Sequence, residues 1–446
     1  MHMIMAEPRL LKYRHSPSWD IHAYVKDGGY QALRTCVTTL TRDEVIAQVK
    51  QSGLRGRGGG AFPTWVKFDK VLNHQTPEHH FVCNAGEHEP GTFKDRHLLR
   101  INPHQIIEGC AIAAYTVNAA TASIYINSEY ADEIGIFQKA LALAEDGGYL
   151  GHTLFGSHVN IDLEVFVGEG SYVAGEETAM LESMQGRPAM PRQKPPFYPT
   201  EFGLHGKPTL VSNVETCSHL PHIIRQGSQW FSEVGTETSP GTMLFSLSGA
   251  VNRPGVYELP LGTPLHTLIF ECGEGVPGGR VVKAVLPGGP SFPMLPGTTL
   301  DVPLDADALK RAGSGLGSAG VIVIDDQTCM IDTMLHFMRF FKRESCGQCP
   351  PCRLGTINLE SIVHNIHSGH GTEHDIATLM EVCSYAKGQG YCTLVTGATV
   401  LIESSVQHFR HEYEAHVRDG RCTLNPFQPM TSHPVAMSTA AHAGTA

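Results

Sequence analysis

Cys346, Cys349 and Cys352 stand in the stretch ESCGQCPPCRLGT at strict C-x-x-C-x-x-C spacing. Three thiolates this close in sequence can wrap one face of a compact inorganic core. A fourth from elsewhere closes it, which is the ligand pattern of a [4Fe–4S] cluster. Zinc is the alternative, although zinc sites usually pair two C-x-x-C units rather than take three consecutive ligands. Gly347 lets the backbone approach the core, and Pro350 and Pro351 stiffen the loop and remove two amide donors. Spacing alone leaves both Cys383 and Cys392 open as the fourth ligand. The remaining cysteines (Cys36, Cys83, Cys110, Cys217, Cys272, Cys329 and Cys422) stand mostly in apolar settings and read as packing thiols.

A second chemistry is written in glycine. SGLRGRGGGAFPT (52–64) has a composition that no packed helix or strand favours. Small residues in a row expose backbone amides, which form a concave nest for a phosphate. Arg55 and Arg57 add charge, and Lys67 lies just beyond. VGEGSYVAGEETAMLE (167–182) follows an expected strand and opens a helix, again an anion-binding arrangement. One such loop is weak evidence, since most glycine-rich turns are simply turns. Two of them beside a cluster motif point to a flavin or dinucleotide. Glu87, Glu89, Glu176 and Glu177 flank the glycines. Glu176 and Glu177 fit the first turn of a helix, where its dipole favours acids. They also suit contacts to ribose hydroxyls, or repulsion of a product's phosphates.

The elements that must position these groups follow from pattern. TRDEVIAQVKQ (41–51) is a helix with Thr41 as N-cap and Glu44 three residues on. Strands are expected at 81–85, 122–127 and 161–168, with helices at 104–117 and 132–146. This alternation implies an α/β layer on a largely parallel sheet. Residues 185–210, rich in Pro, Gly and Arg, read as loop. The 242–273 stretch reads as a hairpin around NRPG followed by a short helix, with more strands in VKAVLPGGPSF and GVIVID. Helices are expected at 331–345, 358–367, 372–387 and 396–417. The domains expected are therefore 1–240, an α/β domain with an N-terminal arm; 241–326, a small β-rich domain; 327–420, a helical cluster domain; and 421–446, a disordered tail.

The chain has 446 residues and 41% hydrophobic residues, an ordinary globular composition. Its net charge of -11 argues against nucleic acid as the main partner. No apolar run reaches the length of a membrane span, and the N-terminus lacks a signal-peptide pattern. A cytoplasmic location is expected, peripheral to a membrane at most through partners. In that reducing compartment many cysteines suggest metal, cluster or buried thiols.

The motifs SGLRGRGGGAFPTWVKF, CNAGEHEPGTFKDRHLL, GSYVAGEETAMLESMQGRP, KPPFYP, GKPTLVSNVET and ESCGQCPPCRLGT occur in this order. In this the chain resembles the NADH-binding, FMN-containing subunit of respiratory complex I and the related diaphorase subunits of NAD-linked hydrogenases and formate dehydrogenases. The resemblance spans about residues 15–420. It implies a Rossmann-like flavin domain, a ubiquitin-like β-grasp domain over 241–326 and a C-terminal helical bundle with a [4Fe–4S] cluster. It implies Cys392 as the fourth ligand, sixteen residues before His408. It further implies that Gly56, Arg57, Gly58, Lys67, Asn84, Glu87, Gly175, Glu176 and Asn213 hold FMN. Phe62, Glu89, Tyr172, Glu177, Lys194 and Phe197 would face NAD(H), with Glu89 and Glu177 tuning nucleotide release in a hydride transfer that needs no protein acid or base. A thioredoxin-like [2Fe–2S] subunit, not fused here, and a larger Fe–S or catalytic subunit of complex I, formate dehydrogenase or hydrogenase type are the implied partners.

The chain departs from the family pattern near the nucleotide. Trp65 replaces a glycine, Gly86 an acid, His88 a small residue, Lys70 an aromatic and Ser212 an asparagine; CTLV replaces CALG after Cys392. Trp65 is expected to narrow the adenine site, and Lys70 to favour a 2′-phosphate. A second reading follows: an electron-transfer or scaffolding subunit with a degenerate nucleotide site.

Overall fold

The computed structural model describes residues 8–12, 20–422 and 424–427. Short helices α1 (Ile21–Lys26) and α2 (Gln31–Thr38) precede α3 (Arg42–Ser52). Helix α3 starts on the expected capping box: Thr41 Oγ1 accepts from Glu44 N, and Glu44 Oε2 accepts from Thr41 N at 2.7 Å. Gly53, at φ 68°, ends it in the left-handed conformation and delivers the chain straight into the glycine-rich loop. Helix α4 (Thr64–Leu72) leaves that loop, and the alternation then begins: β1 (His79–Ala85), α5 (Lys94–Ile101), α6 (Pro103–Thr116), β2 (Ala119–Ile126), α7 (Ala131–Asp146), β3 (Leu163–Val167), α8 (Glu177–Met184), α9 (Pro199–Phe202), β4 (Thr209–Asn213), α10 (Val214–Gln226) and α11 (Ser228–Ser232).

The four strands form one parallel sheet in the order β3-β2-β1-β4. The three strands expected from sequence are present. Strand β4 starts at the end of the stretch expected to be loop and was not expected as a strand; it is short, and its pairing with β1, from His80↔Thr209 to Asn84↔Asn213, is a tertiary contact that local pattern does not carry. Parallel strands are covered on both faces. Here α6, buried along its whole length, lies against the sheet with α10 beside it. Phe81, Cys83, Ile107 and Ile124 are fully enclosed in this core. Burying each large apolar side chain contributes about 1.5–3 kcal/mol. From β1 the sheet grows outward to β2 and β3 on one side and to β4 on the other. The crevice at the carboxyl ends of β1 and β4 is thus a topological switch point, where open α/β sheets place ligands.

A second sheet follows: β5 (Thr242–Gly249), β6 (Gly255–Pro260), β7 (Val282–Leu286), β8 (Leu295–Pro296) and β9 (Gly320–Asp325), with α12 (Ala306–Arg311) before β9. Its order is β6-β5-β9-β7-β8, with β5 parallel to β9 and the other pairs antiparallel. Phe245, Leu268, Val285 and Val323 fill a separate core beneath it.

Four helices follow among the described residues: α13 (Met330–Glu344), α14 (Pro350–His367), α15 (Glu373–Ala386) and α16 (Leu394–Asp419). Ile331, Met334, Leu335, Met338 and Phe341 of α13 recur at three- and four-residue steps and face the bundle. Helix α14 begins at Pro350, eight residues before the expected start. The two prolines of the cysteine motif occupy its first turn, where a missing N–H is harmless. The motif is therefore a helix start as well as a loop. Of the expected tail, Leu424–Phe427 return to the bundle: Asn425 N donates to Gln327 O, and Phe427 N to Asp332 Oδ2 at 2.6 Å. Residues 428–446 lie outside the described residues. The expected architecture of parallel-sheet α/β layer, β-grasp-like sheet and C-terminal helices is the one found. No helix among the described residues is long and apolar enough to cross a membrane.

Candidate functional site

At the carboxyl ends of β1 and β4 lies a cavity of about 1080 Å³. Asn84 and Asn213, register partners on the two strands, stand at its floor. The glycine-rich loop and the Tyr172–Glu177 loop line it, and so does Cys392.

The glycine-rich loop is tied back on itself. Arg55 Nε donates to Ala61 O at 2.7 Å, and Gly56 N to Phe62 O at 2.8 Å. Arg57 N donates to Thr216 Oγ1 at 2.8 Å, and its Nη2 to Pro240 O at 2.9 Å. Arg57 is 2% exposed and its side chain does not line the cavity. This corrects the sequence expectation that its charge meets a phosphate: burial lowers its pKa to about 10, with Glu215 opposing. What the loop presents instead is backbone. Among the described residues no acceptor takes the amide hydrogens of Gly58, Gly59 and Gly60, all of which line the cavity. Thr64 Oγ1, at the start of α4, is also buried without a partner. A Cβ on Gly58 would meet Asn213 Cβ at 3.0 Å, and one on Gly175 would meet Gly86 O at 2.5 Å. Three unpaired amides, a helix start and an unpartnered hydroxyl on one wall fit a bound phosphate.

Two ion networks flank the cavity. The inner one is sealed. Lys94 Nζ reaches Asp95 Oδ1 at 2.7 Å and Glu215 Oε2 at 2.9 Å, and Asn213 Nδ2 donates to Asp95 Oδ2 at 2.6 Å. Burial works against the Lys94 charge, but Asp95, Glu215 and Glu87 hold its pKa above the ordinary lysine range. Burial pushes Glu87 up to about 7 and Asp95 adds to this, while Lys94 and the amides of Asp95 and Arg96 oppose it. The outer network is partly wet. Glu177 takes Lys67 at 2.9 Å and Lys194 at 3.1 Å, and Lys194 also reaches Glu176 at 2.6 Å. Burial raises the Glu177 pKa, but the two lysines outweigh it and bring the group to about 2. Glu176 is the N-cap of α8 and accepts from the Thr178 and Ala179 amides. Burial also raises Glu89, against hydrogen bonds from Tyr172 and Ser291.

Of the residues expected at the site, Gly56, Gly58, Phe62, Lys67, Asn84, Glu87, Glu89, Tyr172, Gly175, Glu176, Glu177 and Asn213 line this one cavity. Lys194 stands behind its wall, joined to Glu176 and Glu177, and Phe197 is exposed near the rim beside Phe202. Lys70, Gly86, His88 and Ser212 also line it. Trp65 does not. It packs against the first core with Lys50 Nζ 4.4 Å from its ring centroid, so it does not narrow the site as expected. On a helix, the residue after an inward Thr64 turns to another side. Sequence reasoning missed Lys94 and Asp95, whose only signal was adjacent opposite charge in TFKDRH, and the unpartnered Thr64.

Around Cys392 the cysteines converge. Cys349 Sγ accepts from Tyr391 N at 3.3 Å, which brings the α14 start against the Cys392 segment. Ser345 Oγ lies 3.4 Å from Cys352 Sγ. Burial pushes the Cys392 thiol up to about 12, and Cys352 and Cys346 lie close enough to add to the shift. Cys383 is fully buried elsewhere, near Glu403 and Lys387. Among the described residues only two other trios bring their ligand atoms within 4.8 Å of one another, and none of these four cysteines belongs to either. No three of these four sulfurs therefore lie within 4.8 Å of one another, whereas thiolates on one tetrahedral zinc stand about 3.8 Å apart. Four thiols gathered from the α14 start and the Cys392 segment are the donor set of a cluster. Tyr172, whose ring packs on Phe340, lines the cavity close to Cys392.

Three family models match the chain: a Nuo51 FMN-binding domain over residues 49–222, an SLBB domain over 244–295, and an NADH-ubiquinone oxidoreductase-F iron-sulfur binding region over 332–416. The second F-type subunit of NADH-quinone oxidoreductase from Rhizobium meliloti (strain 1021) is 45% identical over 422 residues, covering 94% of this chain and 100% of the relative. The chain belongs to the family of F-type NADH-quinone oxidoreductase subunits. The HndC component of the NADP-reducing hydrogenase of Solidesulfovibrio fructosivorans is 41% identical, covering 90% of this chain and 81% of that one. The crystal structure of an NAD+-reducing [NiFe]-hydrogenase in the H2-reduced state superposes with a TM-score of 0.81 at 32% identity, covering 92% of this chain. The chain spans 66% of the hydrogenase chain. The protein is accordingly an oxidoreductase of the NADH, FMN and [4Fe–4S] type, and its family works within complexes of the complex I and NAD-reducing hydrogenase kinds.

Proposed function

We propose that the cavity holds FMN by the amides of Gly58 to Gly60 with Thr64, Asn84 and Asn213, and that Cys346, Cys349, Cys352 and Cys392 hold the cluster. A nicotinamide nucleotide enters past Phe62, Glu89, Tyr172, Glu177, Lys194 and Phe197. The observation that carries this reading is continuity: one cavity runs from three unpaired glycine amides to Cys392. Converting a two-electron hydride donor into single-electron steps is the chemistry that FMN and the cluster supply when bound. The protein's own contribution is placement and charge. The inner network fixes Asn213 and the loop floor. Glu177 neutralises Lys67 and Lys194 at the rim, so an incoming pyrophosphate must share those lysines with a carboxylate. Binding is thereby weakened and nucleotide release quickened, the role proposed for Glu89 and Glu177.

The domain boundaries read from sequence, at 240/241, 326/327 and 420/421, belong to this proposal. So do a thioredoxin-like [2Fe–2S] subunit and a larger Fe–S or catalytic subunit as partners, and a cytoplasmic location. Of the four departures behind the degenerate-site reading, Trp65 lies outside the cavity, while Lys70, Gly86 and His88 line it. Lys70 supports a different variation. It is exposed, lines the cavity and makes no ion pair among the described residues, which suits the 2′-phosphate of NADPH. Gly58→Val tests the flavin site: the variant should purify with its iron and without FMN, and retention of FMN would refute the assignment.

A further inference from the structure

Cys329, His416 and Cys422 bring a thiol, an imidazole nitrogen and a second thiol within 4.8 Å of one another. None of the three belongs to the cavity or to the four cluster cysteines. Cys329 is the N-cap of α13, whose far end feeds the cysteine motif. Fifteen residues of helix put the two sulfur centres about 22 Å apart.

The trio is oriented, not merely close. His416 Nδ1 lies 2.8 Å from Glu412 O, so Nδ1–H donates to that carbonyl. This fixes the tautomer and leaves the lone pair on Nε2, which sits 3.5 Å from Cys329 Sγ. Such a second hydrogen bond is the usual companion of a metal-binding histidine. The Glu412 carboxylate is itself engaged by Lys283 Nζ at 2.8 Å and Met330 N at 3.0 Å, which steadies the carbonyl's turn of α16. Both sulfurs accept a backbone amide: Cys329 from Asp332 N and Cys422 from Leu424 N, each at 3.3 Å. Cys329 and His416 are buried, and Cys422 is partly exposed and gives an entry path. The other trio, Cys83, Cys110 and Cys217, offers no nitrogen and no exposed atom, and reads as packing.

We propose that Cys329, His416 and Cys422 form a zinc site, separate from the cluster, that staples the segment after α16 to the start of α13. Two thiolates and an imidazole are the ligands of a borderline-soft divalent ion. Loading releases two thiol protons, leaves the imidazole neutral, changes no oxidation state and leaves a fourth position for water. The packing-thiol expectation from sequence is thus replaced for Cys329 and Cys422. The staple closes over Cys329 N–Asn425 O at 2.8 Å and the Thr328–Asn425 bridge.

The test counts metal in the full chain purified anaerobically with its cluster, so that the cluster cysteines are occupied by iron. We expect about one zinc per chain beyond the iron. Cys422→Ser and His416→Gln should each lose it while iron content and cluster spectrum stay unchanged. Cobalt(II) added to zinc-stripped protein should give thiolate charge-transfer absorption that Cys422→Ser abolishes; Cys422 is partly exposed near the end of the described chain, so this variant is expected to fold. Absence of zinc both as purified and after incubation with zinc and desalting would overturn the proposal. Undiminished zinc in both variants would overturn it equally, by placing the metal elsewhere.

Discussion

The two ion networks around the cavity both pair lysine with carboxylates, and they do opposite things. The inner one, Lys94 with Asp95 and Glu215, is 0–6% exposed at its side chains. The outer one, Lys67 and Lys194 with Glu176 and Glu177, is 18–32% exposed. A charge that water cannot reach must keep its partner, so the inner set acts as scaffold. A charge that water still touches can exchange partners, so the outer set can trade a carboxylate for a ligand's phosphate. Burial, more than residue identity, separates structure from function here.

Removing an inner charge should therefore break the comparison most visibly. Lys94→Met leaves Glu215 and Asp95 buried without their cation, and should cost about 3–5 kcal/mol of stability by denaturant unfolding. It should also loosen flavin, because Asp95 holds Asn213. A loss below about 1 kcal/mol would mean that the inner set is not a buried pair in solution.

Glu177→Gln tests the outer set with a smaller effect of another kind. Stability at neutral pH should hold within about 1 kcal/mol, while KM for NADH falls and inhibition by NAD+ strengthens, each about three- to tenfold. The pH dependence has a definite sign. Glu177 titrates lower in the folded state, at about 2, than in the unfolded chain. Its stabilisation is thus complete above the ordinary carboxylate range and is lost as pH falls toward about 2. Glu177→Gln should flatten that acid limb. Glu87 has the reverse sign. Its folded value is raised to about 7, so its contribution is present below the ordinary carboxylate range and lost as pH rises through about 7. Glu87→Gln should remove this neutral-side slope and leave the acid limb alone.

The smallest effect on catalysis should come from Trp65→Gly. Because the indole lies against the core beside Lys50, nucleotide KM should change less than about twofold, with about 1–2 kcal/mol of stability lost. A large drop in KM would place the ring in the nucleotide's path after all.

Much of this was legible in sequence because the signals were local. The Thr41–Glu44 capping box, the strand–helix alternation and the C-x-x-C-x-x-C spacing each need only neighbouring residues. Side-chain direction was not legible. Arg57 sits among glycines that reach the cavity, yet its guanidinium goes to Pro240 O, set by a contact 183 residues away. Strand β4 exists because β1 offers it an edge. Helix α14 starts early because prolines that look like breakers are harmless in a first turn. Lys94 was invisible because a lysine beside an aspartate usually marks a solvated face. For Cys329 and Cys422 an apolar neighbourhood was visible, and the histidine between them was not.

Anaerobic titration with NADH, followed by flavin absorbance and by electron paramagnetic resonance in the wild type and in Cys392→Ser, tests the central claim most directly. In the wild type NADH should bleach the flavin and bring up the signal of a reduced cluster. In Cys392→Ser bleaching should persist and that signal should vanish. Protein that carries iron and flavin yet shows no bleaching with NADH or NADPH would contradict the account.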